Sequence, residues 1–217
     1  MFNDMPPITR ALLASNVLVF FLQWMLGDPT FFPFMLWPLG EHAGLLGGMP
    51  VTVEFLPWQL VTYGFLHANL AHLFFNMLAL VMFGGQIERV WGSRRFALYY
   101  VVCVAGAGLV QLVVATLTFR DTGNPYPTIG ASGGVFGILL AFAILFPHAR
   151  LMLIIPPIPM KARTFVILYG LLELFMGVFY RGSGVAHFAH LGGMAFGFLL
   201  IQYWRGRWPF RRPRPRA

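Results

Sequence analysis

The chain has 217 residues, 58% of them hydrophobic and only 10% charged, with a mean hydropathy of +0.72. A soluble domain carries about a quarter charged residues, so this composition excludes an ordinary water-soluble globular protein. The net charge of +8 does not point to nucleic acid, because it sits mostly in short connections and in a terminal run from Arg205 to Arg216, where it sets orientation and meets anionic lipid heads.

Six segments are apolar enough to read as membrane spans, for which a helix needs roughly 20 mainly apolar residues. They are 8–26, 67–87, 95–119, 132–147, 162–180 and 185–204, followed by a basic tail, 205–217, all within one membrane domain of 1–217. The first run follows Arg10 without a small-residue cleavage site and reads as a retained helix, not a signal peptide. The connection 27–66 is long yet rich in Phe, Trp, Leu and Pro. It is expected either to lie in the outer interface as a short helical element, with Trp37 and Trp58 near head-group level, or to pack over the helices. Cys103, the lone cysteine, reads as a packing residue. With the N-terminus inside, thirteen Lys and Arg face the cytoplasm and only Arg120 and Arg181 face outward, which fixes both termini as cytoplasmic.

The fourth segment is short. Gly130 marks its start and Pro147 its end, leaving about 15 residues, or roughly 22 Å, against a hydrocarbon core of about 30 Å. If it reaches the cytoplasmic face, its N-terminus and Ser132 stop below the outer surface. Irregular backbone at that depth must be buried in protein or line a wet cavity, so the pattern predicts a sunken pocket open to the outside.

Gly130-Ala131-Ser132-Gly133 sets a serine in a glycine-flanked turn at a helix start, where backbone N–H groups are free to meet an oxyanion. The same string also suits a plain helix cap with Gly130, Gly134 and Gly137 as a small-residue packing face. Histidine placement favours chemistry. His72 and Asn76, four apart, share one helix face, as do His187 and His190, three apart. His67 lies at the outer end of the second span. Ionisable groups inside membrane segments are costly and face a functional interior.

These motifs resemble the rhomboid intramembrane serine proteases. The resemblance rests on His67-x4-His72-x3-Asn76, Gly130-Ala131-Ser132-Gly133 and Ala189-His190-x2-Gly193-x3-Gly197, each in its expected span, and on Glu88-Arg89 with Gly92 after the second. It implies an all-α, polytopic six-helix bundle with a short fourth helix and a membrane-associated first loop. It also implies Ser132 as nucleophile and His190 as general base, with His72, Asn76 and the Ser132 N–H as oxyanion hole. His67, Gly130, Gly133, Phe136 and His187 take supporting roles, and Gly193 and Gly197 bring the sixth helix onto the fourth. Phe136 stands where better-known bacterial members carry a tyrosine stacked on the histidine. A phenyl ring still stacks but leaves His190 less constrained. Gln59 stands where some members have arginine, which leaves the loop's anchoring open.

Of the seven acidic residues only Glu173 falls within a span. The expectation is therefore a Ser–His dyad oriented by packing, with Glu173 as a neutral or hydrogen-bonded carboxyl of the bundle. No cofactor or metal is expected. The implied partners are transmembrane protein substrates and the lipid bilayer, in a bacterial inner membrane. Two other readings are a non-catalytic binder of transmembrane helices on the same fold, and a metal site or transporter built from His67, His72, His187 and His190.

Overall fold

The structure, a computed structural model, describes residues 4–46, 49–152, 157–180 and 185–207. Arg181 and the tail beyond residue 207 lie outside the described residues. In chain order come α1 (Pro7–Leu26), a 3-10 turn (Asp28–Phe34), strands β1 (Glu41–Leu46) and β2 (Met49–Glu54), and the short α2 (Gln59–Thr62). Then α3 (Leu70–Ala79) runs through a π-helical turn into α4 (Gly85–Trp91), followed by α5 (Ser93–Thr122) and α6 (Ser132–Leu145). A small hairpin, β3 (Arg150–Met152) and β4 (Pro159–Lys161), leads to α7 (Ala162–Phe179) and α8 (His187–Trp204).

Each predicted span has its helix within a few residues. Among the described residues four are long and apolar enough to cross a membrane: α1, α3 continued by α4, α5 and α7. α6 is apolar but has only 14 residues. α8 has 18 residues, and its two histidines and Gln202 dilute its hydropathy.

α1 is built inside out, as lipid requires. Its buried residues are Thr9, Asn16 and Gln23, spaced by seven and so on one face. Leu18, Phe21 and Trp24 point outward, Trp24 at 77% exposure. The inward face is held by polar contacts. The buried Glu88 carboxylate accepts the backbone N–H groups of Ile8 (3.0 Å) and Thr9 (2.8 Å) and the hydroxyls of Thr9 (2.8 Å) and Ser93 (2.7 Å). Those two N–H groups belong to the first turn, which lacks intrahelical acceptors and carries the positive end of the helix dipole. One side chain thus ties α1, α4 and α5.

The first loop packs over the helices, with Leu36 bridged to Thr128 and the Leu39 N–H on Thr116, and it adds a hairpin to its short helical turns. β1 and β2 pair antiparallel, Glu41 opposite Glu54, in keeping with the β-branched run Val51-Thr52-Val53. Trp37 is buried, with its indole N–H on the Phe32 carbonyl (2.8 Å), whereas Trp58 is half exposed. Gln59 anchors the loop firmly. Fully buried, it accepts the Trp37 N–H (3.2 Å) and donates to the carbonyls of Glu54 (3.0 Å) and Pro33 (3.3 Å). An amide with both donor and acceptor does here what an all-donor guanidinium could not do alone.

At the centre α8 packs against α5 and α6. The Tyr99 hydroxyl donates to the Gly137 carbonyl (2.7 Å), and Cys103 is fully buried beside it, as expected of a packing residue. Replacing Glu88 with alanine strands four donors, the two of Thr9 buried and those of Ile8 and Ser93 partly so. We expect Glu88→Ala to lower stability by about 3 kcal/mol, read as a shift of the reversible unfolding midpoint in mixed micelles.

Candidate active site

Ser132 is the first residue of α6, and its hydroxyl is not used as a cap. Its Oγ lies 2.8 Å from His190 Nε2. Gly130, just before it, has φ +131°, a backbone region open in practice only to glycine, and its N–H donates to the Tyr63 carbonyl (2.9 Å). A Cβ on Gly130 would sit 2.8 Å from His72 Nε2 and 3.7 Å from Ser132 Oγ. The space over the serine is therefore walled by the His72 ring.

His72 is oriented locally. Its Nδ1 accepts the Ala68 N–H (3.3 Å), which assigns the proton to Nε2, the nitrogen beside Gly130. Asn69 caps α3 by accepting the His72 N–H (2.8 Å), and the Asn76 amide donates to the His72 carbonyl (3.0 Å). His67, ahead of α3, stacks edge-on to His72 at 5.0 Å. His67 also borders a cavity of about 320 Å³ lined with Gln23, Asp28 and Asn69.

His190 is buried and held on three sides. The Phe136 ring stacks on it at 4.1 Å and 6°, with Tyr169 packed behind Phe136 at 4.9 Å. Stacking survives the loss of the tyrosine hydroxyl. Its Nδ1 lies 2.9 Å from Glu173 Oε2, and His187 Nδ1 lies 2.6 Å from the same oxygen. The expectation of a histidine oriented by packing alone needs correcting. Glu173, on α7, is a hydrogen-bonded bundle carboxyl as expected, but its partner is the histidine that touches Ser132. The available signal was that the one intramembrane acid lies on the helix preceding the His187–His190 face.

The donor atoms of Glu173, His187 and His190 lie within 4.8 Å of one another, close enough to consider a metal. His67 and His72 are not part of that group, so the four-histidine metal site does not form. The glycines behave differently from one another. A Cβ at Gly193 would run into the Gly133 carbonyl, which makes this the α6–α8 contact. Gly197 instead faces Tyr99 and Cys103 of α5, correcting the expectation that both serve the fourth span.

Comparison with known proteins matches the Rhomboid domain family over residues 55–207. The chain is 32% identical to "Rhomboid protease GluP" of Bacillus subtilis, over 90% of this chain and 34% of that protein. It is 31% identical to "Rhomboid protein 1, mitochondrial" of Saccharomyces cerevisiae, over 94% and 58%. It is 27% identical to "Rhomboid protease GlpG" of Klebsiella pneumoniae, over 89% and 62%. The chain thus spans from about a third to under two thirds of the length of these relatives.

Since the α6–α8 contact leaves no room for a methyl group, Gly193→Ala is expected to cost about 1–3 kcal/mol by overpacking. The unfolding midpoint in mixed micelles checks it.

Proposed function

The chain belongs to the rhomboid family, and on that premise we propose that it is an intramembrane serine endopeptidase in which Ser132 attacks and His190 carries the proton. The observation that carries the reading is the 2.8 Å contact between His190 Nε2 and Ser132 Oγ. In this reading α1, α3 with α4, α5, α6, α7 and α8 form a six-span bundle in the bilayer, α6 being the short one, with both termini cytoplasmic as the charge distribution requires. At 1.5 Å per residue, the 14 residues of α6 cover about 21 Å of a hydrocarbon core of about 30 Å, which recesses Ser132 from the outer face.

The steps follow from the geometry. His190 Nε2 accepts the Ser132 proton as Oγ adds to a peptide carbonyl of the substrate. The negative charge that develops on the carbonyl oxygen needs donors already in place. The Ser132 N–H, in the first turn of α6, has no intrahelical acceptor. The His72 Nε2–H stands over Gly130, and Asn76 keeps a second amide hydrogen beyond the one given to His72. His190 then returns its proton to the leaving amine, and water, activated by the same nitrogen, hydrolyses the acyl-serine. His67 backs His72, and Phe136 holds the plane of the His190 ring.

The substrates are membrane proteins, as for the family. A regular helix hides its carbonyls in backbone hydrogen bonds, so the segment to be cut must unwind to reach the recessed serine. Adding Gly or Pro near the cut site of a transmembrane test substrate should raise its cleavage rate several-fold, and a leucine-rich, uninterrupted helix should resist cleavage.

The decisive test compares wild type, Ser132→Ala and His190→Ala in liposomes, by cleavage of a transmembrane substrate and by fluorophosphonate labelling. Each variant should lose about three orders of magnitude or more in cleavage, and labelling should vanish in Ser132→Ala. Cleavage that persists in Ser132→Ala refutes the assignment. A folded wild type that neither cleaves nor labels would favour a helix-binding protein of the same fold.

A further inference from the structure

We propose that Glu173 is a positioning residue for His190, and that His187 holds the Glu173 carboxylate in place, so that the reacting pair is backed by a two-histidine, one-carboxylate cluster. The inference rests on the proposed roles of Ser132 and His190 and adds a third and a fourth group to them.

The geometry leaves little choice. Glu173 is 4% exposed and sits mid-helix in α7. Its Oε2 receives two imidazole nitrogens, His187 Nδ1 at 2.6 Å and His190 Nδ1 at 2.9 Å. A carboxylate oxygen accepts two hydrogen bonds and donates none, so both histidines carry their proton on Nδ1. For His190 that choice fixes the other nitrogen. Nε2 is left as a lone pair directed at Ser132 Oγ, 2.8 Å away, which is the tautomer a general base needs.

Stacking alone cannot do this. The Phe136 ring, parallel to the imidazole at 4.1 Å, sets its plane but does not resist rotation within that plane. Two in-plane hydrogen bonds, one at each nitrogen, do resist it. Glu173 therefore supplies the in-plane constraint that stacking lacks. It also faces the imidazolium formed when the serine proton arrives, and a low-dielectric site strengthens that attraction.

His187 has a separate task. A buried carboxylate with a single donor is poorly compensated, and the second N–H, one helical turn away on α8, satisfies it. Neither His187 nor Glu173 touches the serine.

The test uses the full chain in liposomes with Glu173→Gln, Glu173→Leu and His187→Phe, each checked for folding by its unfolding midpoint. Glutamine keeps an acceptor oxygen and loses the charge. Leucine keeps the bulk and loses both. We expect kcat to fall roughly tenfold in Glu173→Gln and roughly a hundredfold in Glu173→Leu, with KM within twofold of wild type. His187→Phe should fall several-fold. A second readout is independent of turnover: the hydrogen-bonded Nδ1–H of His190 should give a low-field proton resonance in histidine-labelled wild type and in Ser132→Ala, and lose it in Glu173→Leu.

If folded Glu173→Leu keeps kcat within twofold while Ser132→Ala is dead, the positioning role is wrong and the proposed protease activity stands. If Ser132→Ala is itself active, the protease reading fails first. Should a chelator abolish wild-type cleavage and zinc restore it, the three donors hold a metal, and the positioning assignment is overturned. If Glu173→Leu does not fold, Glu173→Gln and the wild-type resonance decide. A wild type without that resonance, or a fully active Glu173→Gln that has lost it, refutes the inference.

Discussion

The site depends on how closely α8 can lie on α6. Gly193 meets the carbonyl of Gly133, the residue after Ser132, with no room for a side chain between them. His190 is three residues before Gly193 and so on the same face of α8. Once the two glycines touch, the imidazole is delivered to the serine. A single Ser–His hydrogen bond contributes about 1 kcal/mol net, too little to hold two helices in register. Packing sets the distance, and the hydrogen bond reports it.

Around that contact a largely apolar core also takes in polar side chains, and two buried carboxylates show what those inward groups are for. Glu88 accepts four donors, two from the α1 backbone and two hydroxyls. Its hydrogen-bonding capacity is filled by groups that have no other task, so it is a tie between helices. Glu173 accepts two imidazole N–H groups, and one of those rings touches Ser132. Its partner must change charge during the proposed reaction. The first carboxylate secures the scaffold at the end of α4; the second is linked to the reacting atoms.

The six helices were legible because crossing lipid demands length and apolarity, and both are local properties of sequence. Ser132, His190, His72 and Asn76 were legible because short spacings fixed them on helix faces and at a helix start. What escaped notice was non-local. Pairing of β1 with β2 is decided by tertiary context more than by composition, in a loop whose apolar content also suited a membrane-surface helix. Gln59 could not be credited as an anchor without knowing that the carbonyls of Pro33 and Glu54 converge on it. Glu173 stood out as an intramembrane acid, but whether it faces lipid, a neighbour or the histidine depends on the rotation of α7 about its axis. The weakly patterned outer surface of a membrane helix does not specify that rotation. Gly197 departs from expectation for a similar reason: it lies four residues beyond Gly193, and the turn of α8 directs it toward α5.

α7 is thinly buried in the bundle and holds one of the groups closest to the proposed chemistry. Among its residues only Ala162, Val166, Glu173 and Gly177 are buried, while Leu168, Leu171, Leu172, Phe175 and Phe179 face outward. Little apolar burial resists its displacement, so the two histidine contacts of Glu173 form a large share of what keeps its middle in place. A substrate helix arriving from the lipid beside α7 would have to move it, and moving it would draw the carboxylate off His190. Access by that route and a correctly held base are then opposed unless α7 closes again before the serine attacks. Approach from the outer face, past the loop that Gln59 and the Leu36–Thr128 bridge hold over the start of α6, leaves Glu173 undisturbed. In the proposed reaction, the placement of one carboxylate on a thinly buried helix thus couples the path a substrate takes to the readiness of the base that acts on it.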